Sequence, residues 1–215
     1  MHGLIRDEIY VKLRQEILSC TLAPGTELRE AALAERFDVS KSPIRDALHR
    51  LEVDRLVRVE PRRGYHVMPL SLADAEELFD LRMVMEEACV KRTSVNATDE
   101  QLSALDRFRE VDVSLEPHLW IDYNREFHKV LAGFCPNKRL VERTIDVIDQ
   151  FDRLIAVSIS IAGMQNRPQL LAEHCDVIDA LQARAGKRAA KLLGQHIGNG
   201  RKRVLSVLSR AVVVP

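Results

Sequence analysis

Basic and hydroxyl-bearing side chains gather at two places in the first third of the chain: Ser40-Lys41-Ser42-Pro43-Ile44-Arg45 and Arg62-Arg63-Gly64. A guanidinium can donate two parallel hydrogen bonds to guanine O6 and N7, while lysine and serine hold phosphate oxygens, so the chemistry on offer is recognition of duplex DNA. Ile44, Ala47, Leu48 and Leu51 recur at helical spacing as a buried stripe. Lys41, Arg45, His49 and the hydroxyls of Ser40 and Ser42 stay off that stripe, at the end a recognition helix inserts into the major groove. Arg62 and Arg63 suit a minor groove or a pair of phosphates.

The second set lies far downstream. Asn124 and His128 are four apart and share a helix face, with His174 and His196 in two later helices. Three imidazoles and one amide oxygen can close around a divalent cation in a helical core. A lone histidine on an apolar face is more commonly a hydrogen-bonded core residue, so spacing leaves both readings open.

These residues need a scaffold, and the surrounding pattern predicts one. Leu4 to Cys20 reads as a helix with Ile5, Ile9, Leu13 and Ile17 on one face, stopped by Pro24-Gly25. Ala31, Ala32, Leu33 and Phe37 form the apolar side of a supporting helix, Asp38-Val39 a turn, and Ser42 a cap for a second helix with Pro43 at its first position. Leu56-Val57-Arg58-Val59 and Tyr65-His66-Val67 read as strands joined by a loop between Pro61 and Gly64. The order of parts predicts a winged helix-turn-helix over residues 1–69. Over residues 70–215 the strand and turn signals vanish. Six helices are expected there, at about 71–95, 98–115, 117–134, 138–162, 168–186 and 187–209, packed as an antiparallel bundle. The fold class is therefore mainly α.

Composition narrows the alternatives. Formal net charge is zero over 215 residues, but Val39 to Val67 carries seven Lys or Arg against four Asp or Glu, or +3, so positive charge collects where groove contact is expected. No apolar run approaches the roughly 20 residues of a membrane span and no signal-peptide core opens the chain, which predicts a cytoplasmic protein. Cys20, Cys89, Cys135 and Cys175 form no C-x-x-C pair, so neither a disulfide nor a cysteine-based metal site is expected. A metal-dependent hydrolase would need a general base beside the histidines. No H-E-x-x-H motif, nucleophile elbow or glycine-rich phosphate loop is present, and no enzymatic activity is expected. A metabolite-binding or interaction protein with a degenerate DNA-binding module is the remaining alternative.

Pro24-Gly25-Thr26-Glu27-Leu28, Leu33-Ala34-Glu35, the run Val39 to Leu48 and Arg62-Arg63-Gly64 resemble the GntR family of bacterial transcription regulators, and the helical remainder is similar to the FCD effector domain of its FadR subfamily. The resemblance implies a homodimer on a palindromic operator, controlled by a small, often carboxylate, effector. It implies DNA contacts at Lys41, Arg45 and Gly64, with Ser40, Ser42, Arg62 and Arg63 beside them. It also implies a metal, zinc or nickel by donor type, held by Asn124, His128, His174 and His196. An effector arginine is implied at Arg82, whose alternative is a surface pair with Glu86 at i+4; Arg153 is a second candidate. Four positions depart from the family's usual residues: Ala31 for a basic residue, Asp38 for the turn glycine, Lys41 for arginine and Asn124 for aspartate. Lysine lacks the bidentate fork that reads guanine, and a neutral amide is a weaker donor to a cation than a carboxylate.

Overall fold

The computed structural model describes residues 2–61, 63–163 and 165–210, without the side chains of residues 2–4. The chain divides into two compact units between Leu70 and Ser71. No helix among the described residues is long and apolar enough to cross a membrane.

In the first unit α1 (His2–Leu18) buries Ile9, Leu13 and Ile17, whereas Ile5 of the expected stripe is 37% exposed. Strand β1 (Glu27–Leu28) follows, then α2 (Glu30–Arg36), α3 (Lys41–Val53), β2 (Val57–Glu60) and β3 (Gly64–Val67). The sheet runs β1-β3-β2, antiparallel throughout, pairing Leu28 with Tyr65 and Val59 with Tyr65 from the other side. The two-residue β1 was not expected, because so short a strand has no periodicity; it exists only because β3 offers a free edge. Helix α2 buries Leu33 and Ala34, while Ala31 and Ala32 are exposed, so its core face is rotated from the expected one. Helix α3 begins two residues earlier than expected: Ser40 occupies the N-cap, and Pro43 is the third helical residue, where its missing N–H still has no intrahelical partner to lose. Ile44, Ala47, Leu48 and Leu51 are fully buried on the face of α3 that packs against α1, α2 and β2, in one core with Leu56, Val57 and Val67.

In the second unit α4 (Leu72–Asn96), α6 (Pro117–Gly133), α7 (Lys138–Ala162), α8 (Arg167–Gln182) and α9 (Gly186–Leu208) form a bundle. Ser71 caps α4 through its hydroxyl, and Asn137 caps α7. The expected helix over 98–115 is instead α5 (Asp99–Ser103), opened by the Thr98–Gln101 capping box, and a 3-10 turn over Ala104–Phe108. Helix α9 packs against α4 and α8. A Cβ on Gly186 would come within 2.1 Å of the Ser94 hydroxyl, so this approach requires glycine. All four cysteines are free thiols.

Candidate functional site

The N-terminal end of α3 presents its polar groups to solvent. Ser40 is extended (φ −70°, ψ 167°) and its side chain accepts no capping hydrogen bond, leaving the hydroxyl available for another partner. Lys41, Ser42 and Arg45 are exposed. Arg45 is not idle: its Nε donates to Glu30 Oε2 of α2 at 2.7 Å. At the hairpin, Glu60 pairs with Gly64 across a three-residue loop, and Gly64 takes φ +81°, a conformation costly for any residue with a Cβ. Arg63 is held by Glu60 at 3.0 Å, and Arg62 lies outside the described residues. Arg45 and Arg63 thus each rest on a carboxylate.

In the bundle, His128 of α6, His174 of α8 and His196 of α9 meet in the core with ligand-competent atoms within 4.8 Å of one another. His128 Nε2 lies 3.2 Å and His174 Nε2 3.3 Å from His196 Nε2. The opposite ring atoms decide the proton positions. His128 Nδ1 meets Glu86 Oε2 at 2.6 Å, and His196 Nδ1 meets Glu173 Oε2 at 2.7 Å, so both nitrogens donate. His174 Nδ1 lies 3.3 Å from the Tyr123 hydroxyl, whose only proton goes to the Phe108 carbonyl at 2.7 Å, so this nitrogen donates too. With each Nδ1 protonated, three bare Nε2 lone pairs face one another in a buried space. That arrangement is repulsive alone and fits a shared cation, with oxygen partners behind the ligands to fix ring tautomer and orientation.

Electrostatics keeps the imidazoles neutral. Burial drives His128 down to about 4 and His174 well below its ordinary range, and it lowers His196 against the pull of Glu173. Burial alone would raise Glu86, but Arg82 and His128 carry it to about 2. A charge chain results: ionised Glu86 is neutralised by Arg82 and accepts from neutral His128.

Beside the triad a cavity of about 110 Å³, open at its mouth, is bordered by Arg82, Asn124 and His196. Asn124 sits one turn before His128 on the same face of α6 and is buried. Arg82 is 5% exposed and not at the surface. It pairs with Glu86 and also borders the cavity; its Nη2 is fully buried and makes no hydrogen bond. Arg153 is placed differently. The cavity face of α7 consists of Phe151, Ile155, Ser158 and Ile159, and Arg153, two residues from Phe151, projects elsewhere at 100° per residue. Sequence reading missed Arg167 and Arg203, which do border the cavity. The signal for Arg203 was present, since it lies seven residues from His196 on one face of α9. Arg167 at a helix start carried no such signal. Glu173 was also missed, because its partner His196 comes from another helix.

Residues 5–67 match the family model described as bacterial regulatory proteins, gntR family, and residues 77–199 match that of the FCD domain. The chain belongs to the GntR family. Among its relatives is YdhC of Bacillus subtilis, an HTH-type transcriptional regulator, 30% identical over 88% of this chain and 84% of that one. Another is RspR of Escherichia coli, an HTH-type transcriptional repressor, 27% identical over 90% and 86%. The solved structure of E. coli McbR/YncC superposes with a TM-score of 0.80, covering 94% of this chain and 97% of that one; at 18% identity it shows the fold alone. This GntR-family chain is thus a transcriptional regulator with an FCD domain, and its relatives are regulators rather than enzymes.

Proposed function

We propose that this GntR-family regulator acts in the cytoplasm as a homodimer on a palindromic operator. Ser40, Lys41, Ser42, Arg45, Arg62, Arg63 and Gly64 supply the contacts, Arg45 reading a base edge and the others holding backbone phosphates. Its C-terminal unit holds a divalent cation, zinc or nickel, through His128, His174 and His196, with Asn124 as an oxygen donor. A small carboxylate effector binds beside it at Arg82. Bound there, the cation supplies a positive charge that a carboxylate can ligate; Arg82 supplies charge-assisted hydrogen bonds. The supporting observation is the convergence of three unprotonated Nε2 atoms in the bundle core, one of whose histidines, His196, also borders a cavity lined by Arg82.

An effector changes operator affinity only through its different affinity for the DNA-competent and other arrangements of the dimer. Gel-shift titrations of operator DNA with zinc-loaded and chelator-treated protein, with and without carboxylate metabolites, test the reading together with elemental analysis. Absence of bound metal after zinc or nickel reconstitution returns the histidines to a core role. Operator binding that no carboxylate alters removes the sensing role.

A further inference from the structure

The cavity beside the triad is built for a particular kind of acid. Phe79 and Phe151 form part of its wall, packed edge to face at 4.6 Å, and Ile155, Ile159, Leu170 and Val204 extend it. Trp120 closes another side with the Arg167 guanidinium 5.5 Å from its ring centroid, while Arg167 Nη1 donates to the Val113 carbonyl. The neutral hydrogen-bonding side chains at the wall are Asn124, Ser158 and Asn166. Along α7 the lining runs from Phe151 to the capping Gly163, twelve residues or about 18 Å of helix axis. The guanidiniums of Arg82, Arg167 and Arg203 therefore border a cavity whose remaining wall is mostly carbon; Arg167 Nη1 is taken by the Val113 carbonyl, and Arg82 pairs with Glu86 through Nε alone.

We infer that the cavity selects an amphipathic monocarboxylic acid, its carboxylate on Arg82 and its aromatic or branched hydrocarbon body along α7, over polyhydroxylated acids of the same charge. This rests on the effector reading above and narrows it. The carboxylate pairs with the Arg82 guanidinium at the cavity wall. The body removes the faces of Phe79, Phe151 and Ile155 from water. A sugar acid brings a hydroxyl on nearly every carbon, and most of these would exchange water for hydrocarbon without a new hydrogen bond.

Isothermal titration of the full-length, zinc-incubated protein with 3-phenylpropanoate, gluconate and acetate tests this. The phenyl acid is expected to bind at least tenfold more tightly than either of the others, with a negative heat-capacity change. Ile155→Asn is expected to weaken 3-phenylpropanoate at least fivefold and leave acetate unchanged. Arg82→Gln is expected to weaken all three. The Ile155 variant keeps the test valid if loss of the Glu86 partner unfolds the Arg82 variant. Gluconate binding as tightly as the phenyl acid, or an Ile155 variant that binds it normally, overturns the inference. If Arg82→Gln still weakens gluconate, the effector reading survives that result. Failure of the wild-type protein to bind any of the three overturns both.

Discussion

A few atoms decide what each candidate residue can do. In the proposed complex Arg45 would give up the 2.7 Å contact with Glu30 to reach a base, so its net contribution would be the difference between two charge-assisted partners. Arg45→Ala should still cost about 1–3 kcal/mol on the selected operator and relax preference at one base pair, read by gel shift on matched and scrambled duplexes. Equal loss on both duplexes would move Arg45 from base reading to phosphate contact. Asn124 stands one turn from His128 and borders the cavity with His196. Asn124→Asp supplies a charged oxygen and should tighten zinc binding at least tenfold in chelator competition, whereas unchanged affinity would take residue 124 out of the ligand set.

Helices and turns set where those atoms stand. The turn between α2 and α3 carries Asp38 at φ +52°, a left-handed conformation that L-residues adopt at a cost of about 1–2 kcal/mol and glycine adopts freely. Asp38→Gly should therefore raise stability by up to about 1 kcal/mol in urea unfolding without altering DNA preference; a destabilised variant would mean that the Asp38 side chain contributes more than its backbone costs. Gly186 lets the start of α9 approach α4 against Ser94. Gly186→Val should cost about 1–3 kcal/mol by overpacking, and Ser94→Gly in the same chain should recover part of the loss. No recovery would show that the contact does not limit the approach.

At the scale of the whole molecule, protons would compete with the proposed cation for one buried centre. The histidines are depressed by burial, His128 to about 4, so the metal-free fold holds them neutral while the unfolded chain takes up protons at ordinary histidine values near 6.5. Their stabilising contribution is complete above pH 6.5 and is lost as pH falls through 4, about 3 kcal/mol from His128 alone. Glu86, lowered to about 2, acts in the same direction below the ordinary carboxylate range. Asp152 acts oppositely: burial raises it to about 6 despite Arg125, so its contribution is present at acid pH and lost as pH rises through 6. One group against three histidines does not reverse the trend. Urea unfolding followed by the single tryptophan, Trp120, in chelator should show lower stability at pH 4.5 than at pH 7. Zinc at a hundredfold excess over its dissociation constant should add about 2.7 kcal/mol at pH 7 and less at pH 5. A zinc effect independent of pH would place the cation away from the imidazoles.

The winged helix-turn-helix was legible in the chain because its signals are local: α3 needs only the stripe from Ile44 to Leu51, and the hairpin only β-branched runs around a loop ending in Gly64. The helical character of the second unit and the shared face of Asn124 and His128 follow from helical periodicity in the same way. Local signals mislead where tertiary contacts outweigh propensity, as at α2, whose buried face turned out to be Leu33 and Ala34. The segment over 98–115 held only a short helix and a 3-10 turn. Whether three histidines spread over 69 residues point at one another is set by how α6, α8 and α9 pack, and periodicity within one helix carries no information about the rotation of another. The same holds for Glu86 and Glu173 behind the rings, for Arg153 turning off the cavity face while Arg167 and Arg203 turn onto it, and for the carbon-rich wall that accompanies Arg82. Sequence determined which residues share a face; only the packed bundle decided which faces meet.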